Sequence, residues 1–193
     1  MQLNLKRRVM RIAATGLGAA AVASCAVPGR TSPPLAAAYS VRPFSAPTAA
    51  FAARILAAHN AERAQRRLAP LVWDPLLATG AAGYAQQLAV TGTFQHSNRQ
   101  ARRGVGENLW MGTGGAFAPE QMIGNWASEK RWFAPGVFPN VSRSRDWSAV
   151  GHYTQIIWPT TTHVGCGLAN SRGHDVLVCR YAPAGNIDGR GVG

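Results

Sequence analysis

Apolar and polar residues recur with two different periods along this chain, a helical one up to about residue 133 and a strand-like one after about residue 160. Between about Ala49 and Arg67, Phe51, Ile55 and His59 return every fourth position with Leu56 beside them, which predicts a helix with one inward stripe. Asp74-Pro75 reads as an N-cap followed by proline at the first helical position. It opens a second predicted helix, in which Leu77, Ala81, Tyr84 and Leu88 share a stripe until Gly92 ends it. Past a glycine-rich stretch expected to be loop, Pro119-Glu120 opens a third, with Met122, Trp126, Glu129 and Phe133 on one face. That spacing puts a carboxylate on an apolar stripe. Thr162 to Leu168 and Val176 to Ala182 read as two short strands around the turn-forming Asn170-Ser171-Arg172-Gly173, with Cys166 and Cys179 across the hairpin. Helices followed by strands argue for the α+β class. His59 is expected to be a hydrogen-bonded core histidine, Trp110, Trp126, Trp132 and Trp158 to be core, and His163 and His174 to sit at strand edges or turns.

The first 25 residues fit none of these patterns. Lys6, Arg7, Arg8 and Arg11 precede an apolar run from Ile12 to Ala23, too short and too rich in Ala and Gly for a comfortable membrane span, so the segment reads as an export signal. Arg7-Arg8 faintly resembles a twin-arginine signal, with poorly fitting flanks. Val22-Ala23-Ser24-Cys25 resembles a lipobox, which implies cleavage before Cys25 and lipidation of its sulfur. The alternative is an ordinary cleavage site with an incidental cysteine. Residues 26–48, with Pro28, Pro33, Pro34, Pro43 and Pro47, read as a Pro/Ala/Ser-rich linker, leaving 49–193 as one domain. Ala26 after the cysteine favours the outer membrane where one exists, giving an extracytoplasmic, membrane-anchored or secreted protein.

Charge and cysteine usage agree with export. Of 20 Lys/Arg, four lie in the signal, leaving 16 against 8 acids. This excess suits an anionic envelope surface as partner; nucleic acid is not expected, since no aromatic residues interleave the basic clusters. Arg63/Arg66/Arg67 and Arg99/Arg102/Arg103 are expected to be solvated surface. Cys166 and Cys179 either close a disulfide, worth about 3 kcal/mol for a loop of this length, or remain two buried thiols.

Four segments in chain order carry a family resemblance: Phe94-Gln95-His96-Ser97, Gly106-Glu107-Asn108-Leu109-Trp110, Gly151-His152-Tyr153-Thr154-Gln155-Ile156-Ile157-Trp158, and Arg180-Tyr181-Ala182-Pro183-Ala184-Gly185-Asn186. Together with His59-Asn60-Ala61-Glu62-Arg63 and Pro70-Leu71-Val72-Trp73-Asp74, they resemble the CAP superfamily of cysteine-rich secretory, antigen 5 and pathogenesis-related 1 proteins. The closing segment departs from the family's pattern by alanine at two places. The resemblance implies a three-layer α-β-α sandwich around a small antiparallel sheet, with a polar cavity lined by His96, Glu107, Glu129 and His152.

Two neutral imidazoles, His96 and His152, can hold Zn²⁺ weakly while leaving positions open, with carboxylates as ligands or orienting groups. The same cluster can equally be a hydrogen-bonded network that pins the loops. Ser97 is a weak candidate nucleophile for a metal-assisted or serine-type hydrolase, with His96 or His152 as base; neither a nucleophile elbow nor an oxyanion hole is visible. The favoured reading is a binding module for a small apolar ligand or a divalent metal, or a cell-surface interaction module; a lipid or sterol as that ligand is what the resemblance implies. The alanines of the first helix, Ala52, Ala53, Ala57 and Ala58, could open a groove for such a ligand or simply permit tight packing.

Overall fold

The computed structural model describes residues 48–193. The export signal, the lipobox with Cys25 and all but the end of the linker lie outside the described residues. The first helix, α1 (Ala49–Gln65), is capped by the Thr48 hydroxyl and buries Ile55, His59 and Arg63 at intervals of four. After a short strand, β1 (Val72–Trp73), the Asp74 carboxylate accepts from the amides of Leu76 and Leu77 and starts α2 (Pro75–Thr91). Gly92, at φ 71°, closes that helix in the left-handed conformation that glycine adopts without strain.

The sheet has the order β1-β4-β5-β2, built from β2 (Gly106–Thr113), β4 (His163–Ser171) and β5 (His174–Ala182) around the short β1. Its three long strands run antiparallel and β1 joins the edge parallel to β4. The α2 layer is set down almost on the backbone of β4. A Cβ at Gly165 or Gly167 would lie 2.2 and 2.1 Å from α2 backbone atoms, so only glycine admits the helix there. The facing residues of α2 are correspondingly small: Ala78, Ala81, Ala82 and Ala85 are all buried. On the other face, α1, α3 (Pro119–Ala127) and α4 (Gly151–Ile156) cover Trp110, Leu177, Cys179 and Tyr181 in the larger core cluster. This is the three-layer α+β sandwich. A ribbon of β3 (Gly136–Val137) with β6 (Gly191–Val192) ties down the C-terminal end.

Several elements differ from the sequence expectation, each for a physical reason. The glycine-rich stretch expected to be loop contains β2, whose first five residues are all buried, so no inside-outside alternation marks it. The β4–β5 hairpin turns on Arg172 and Gly173 alone, at φ 53° and 78°, which extends both strands into the supposed loop. Asn170, expected in the turn, instead donates from Nδ2 to Asp175 Oδ1 at 2.8 Å across the strands. α3 ends at Ala127 and tightens into a 3₁₀ turn, Ser128–Arg131, so Glu129 and Phe133 lie beyond the helix whose face they seemed to share. That change of course leaves Trp132 46% exposed, not in the core; Trp110, Trp126 and Trp158 are buried.

Arg63 is the largest departure. It is 1% exposed, not solvated, and its guanidinium donates to the carbonyls of Ala69, Ile156, Trp158 and Thr161. Burial pulls its pKa down, and the carbonyl dipoles replace the water it has lost. Cys166 and Cys179 are paired directly opposite across β4 and β5 with a Cα–Cα distance of 4.1 Å and form a disulfide.

Candidate functional site

A hollow of about 940 Å³ opens between the loop after α2, the start of β2, the start of α4 and the segment after β5. His96, Ser97, Glu107 and His152 line it. Glu129 does not; it stands behind His152. The four predicted side chains form two separate His–Glu pairs that share one hollow through their imidazoles. They make no compact three-donor cluster.

In the first pair, the Glu107 side chain is fully buried at the start of β2. Its Oε1 accepts from His96 Nδ1 at 3.0 Å and from the Ser97 amide at 2.8 Å, while Oε2 accepts from the Ser97 hydroxyl at 2.7 Å. Burial raises the pKa of this carboxyl, but the His96 and Ser97 hydrogen bonds and the charge of Arg102 outweigh it and hold the group at about 2. Ser97 is therefore committed to a carboxylate too weakly basic to take its proton near neutral pH, and His96 is turned to the same carboxylate rather than to the serine.

In the second pair, Glu129 Oε1 accepts from His152 Nδ1 at 2.6 Å. Its Oε2 accepts from the amides of His152 and Tyr153, both at 3.0 Å. One carboxylate thus caps the N-terminus of α4 and orients the imidazole that α4 carries. The ring of Trp126 stacks on His152, 5.7 Å between centroids and 14° from parallel. Asn186 completes the turn, donating to Gly151 O and accepting from the Thr154 hydroxyl.

A buried relay also reaches His152. Asn108 Nδ2 donates to His152 O at 3.1 Å and to the Tyr181 hydroxyl at 3.2 Å, and Tyr181 lies 2.9 Å from His59 Nε2. His59 Nδ1 lies 2.8 Å from Ile55 O, a carbonyl that can only accept. The proton of His59 therefore sits on Nδ1, and Tyr181 donates to Nε2. Burial lowers the His59 pKa to about 4, so this ring stays neutral, the core histidine its stripe predicted. Its donor atoms lie within 4.8 Å of Cys166 and Cys179, but the disulfide consumes both sulfurs as metal ligands. His163 and His174 are exposed at the first positions of β4 and β5, away from the hollow.

Arg102 and Trp147 are contributors that sequence reasoning missed. Arg102, expected on the surface, has only 13% of its side chain exposed and lines the hollow. Trp147 begins a 3₁₀ turn just before α4, and its ring packs where a Cβ on Gly151 would be, 3.1 Å away. Each lies within six residues of a quoted motif, and that proximity was the available signal.

The family is settled by comparison. Residues 56–181 match the family model described as CAP, the cysteine-rich secretory protein family. Pathogenesis-related protein 1C of Nicotiana tabacum is 34% identical over 136 residues, covering 70% of this chain and 76% of that one. Secreted protein RBT4 of Candida albicans is 34% identical over 143 residues, 72% of this chain and 36% of that one. Among solved structures, a crystal structure of NaASP2 with Zn²⁺ superposes with a TM-score of 0.66 at 25% identity, covering 77% of this chain and 87% of that one. The chain belongs to the CAP family and is a PR-1-like module.

Proposed function

We propose that this is an exported binding module whose hollow holds a divalent cation through His96 and His152. The carrying observation is that both imidazoles line one hollow with Nδ1 committed to a glutamate, which leaves Nε2 of each as the remaining donor. A carboxylate behind the imidazole is the arrangement that orients metal-ligating histidines and raises their basicity. With two protein donors, the cation would keep open positions for ligand, and its affinity would be weak. The relative solved with Zn²⁺ supports the assignment. Titration of metal-stripped protein with zinc is expected to give one site that is lost in His96→Ala/His152→Ala; an unchanged affinity in that double variant would remove the site.

Binding is favoured over turnover because the Ser97 hydroxyl is held by Glu107 rather than by an imidazole. Peptide or ester hydrolysis that survives purification and disappears in Ser97→Ala would reverse that preference. The hollow is lined by none of the α1 alanines, so a lipid or sterol in a helix groove would need a second site. For location, the family, the buried disulfide and the secreted relative support an extracytoplasmic setting. Lipidation at Cys25 would tether the domain by the 26–48 linker, and mass spectrometry of the membrane-extracted N-terminus tests it.

A further inference from the structure

Glu107 is flanked by more positive charge than it neutralises. Arg102 Nε lies 3.8 Å from Oε1 and Arg180 Nε lies 3.5 Å from Oε2. Neither hydrogen-bonds to the carboxylate, whose oxygens are already taken by His96 and Ser97. The buried Nε of Arg180 has no hydrogen-bond partner among the described residues. Arg102 gives Nε and one Nη1 hydrogen to the carbonyls of Ser97 and Val105, which carry no compensating charge, and Nη2 donates to no group among the described residues. Two guanidiniums against one carboxylate leave a surplus of one positive charge directly behind this wall of the hollow, where low dielectric strengthens its reach.

The surplus is extended at the surface. Arg99, exposed at the start of the 3₁₀ turn Arg99–Arg102, lines the same hollow beside Arg102 and pairs with no carboxylate among the described residues. Arg102 feels both neighbours: burial lowers its pKa first, and the charges of Arg99 and Arg180 lower it further against the opposing pull of Glu107. Another part of the lining is apolar. Phe138 packs edge-on against Trp147 at 5.4 Å, and Trp147 and Ile187 present 43% and 44% of their surface to solvent. Asp188, the other acid of the lining, follows Ile187 in the chain and forms no ion pair with Arg99 or Arg102.

From this arrangement we infer that the hollow takes a small organic anion, a carboxylate or phosphate monoester on an apolar ring or chain, with its charged head at Arg99 and Arg102 and its body against Trp147 and Ile187. The inference names a ligand class for the same hollow as the proposed cation site but requires no cation. An oxyanion meets guanidinium donors with the geometry that favours charge-assisted, forked hydrogen bonds. The partly exposed Trp147 indole supplies the apolar contact.

Calorimetric titration of the mature protein with phenyl phosphate, benzoate and neutral benzyl alcohol, with chelator present throughout, tests the assignment. Both anions are expected to bind at least tenfold more tightly than the alcohol, and to weaken as salt is raised. Which anion binds better distinguishes a phosphate from a carboxylate source. Arg99→Gln/Arg102→Gln should bring the anions down to the affinity of the alcohol, and Trp147→Ala should weaken all three alike. Equal binding of anion and alcohol, or anion affinity undiminished in the double variant, overturns the inference. Because Arg102 also holds two carbonyls, Arg99→Gln alone serves if the double variant unfolds: at least a threefold loss is expected, and no loss overturns the proposal. A failed zinc titration leaves these outcomes untouched, since metal is absent from every arm.

Discussion

The two His–Glu pairs present the same imidazole donors to one hollow and are built in opposite ways. Glu107 starts a strand, is fully buried and sits between two arginines, so its charge belongs to the balance of the interior. Glu129 sits in a one-turn 3₁₀ segment, is 20% exposed and spends its second oxygen capping a six-residue helix. His96 hangs on a loop and has Glu107 as its anchor, with 52% of its side chain exposed. His152 is held at three points: its ring by Glu129, its stacked face by Trp126 and its carbonyl by Asn108. The contrast teaches that equivalent donor atoms need not share a stability cost: one pair is part of the fold, and the other is mounted on it.

Glu107→Gln should produce the largest effect. It removes the one negative charge between Arg102 and Arg180 and turns an acceptor into a donor facing Ser97. Breaking a buried charge arrangement by deleting one partner costs about 3–5 kcal/mol. Urea unfolding should show that loss with an unchanged slope; a loss below about 1 kcal/mol would mean the interior does not depend on this charge.

His59 and Glu107 act on stability in different pH windows. Its ordinary pKa of 6.5 is lowered to about 4 in the folded protein, chiefly by burial. The unfolded chain takes up its proton near pH 6.5 while the folded chain resists until about 4, so stability is full above 6.5 and falls through that window. The fall amounts to about 3 kcal/mol, from the size of the pKa change. Glu107 acts in a lower window: its pKa is lowered from 4.5 to about 2, so its contribution is present above 4.5 and is lost toward 2. Thermal melts of His59→Gln should lack the decline between pH 6.5 and 4 and keep the one below 4.5. A decline that persists in the upper window would assign it to another group.

Much of this is legible in the sequence, and the exceptions share a cause. The α1 stripe, the Asp74 cap and Gly92 declare themselves because local rules of periodicity and capping act over a few residues. β2 escaped because both its faces are buried at its start, and Arg63 because four carbonyls from distant segments turn a surface-type residue inward. Of the site, His96, Glu107, Glu129 and His152 came from motif resemblance. Glu129 was reached a second time, from a helical face that does not extend to it, since α3 ends two residues before it. Its position on the inner side of the turn still follows from the 3-4 spacing, because a 3₁₀ turn continues nearly the same direction for one step. What no local rule carries is the pairing itself: His152 and Glu129 are 23 residues apart, and only the docking of α4 against the turn after α3 joins them.

Glu129→Gln gives the smallest stability change and the sharpest separation of the two pairs. The amide keeps one oxygen, which can still accept from the α4 amides or from His152 Nδ1 but not from all three donors that the carboxylate now serves. The loss of charge at the helix N-terminus and of one charge-assisted hydrogen bond should cost about 1–2 kcal/mol, well below the cost of Glu107→Gln. The effect on binding should run the other way. The substitution leaves the protein folded and His152 present but less firmly oriented, and removing the partner of a ligating imidazole lowers metal affinity by about 10–100-fold. Zinc titration of folded Glu129→Gln, with unfolding measured on the same preparation, therefore reads orientation apart from stability. A zinc affinity equal to that of the unsubstituted protein, at the expected small stability loss, would make the pair a helix cap alone and leave its imidazole without a role in the hollow.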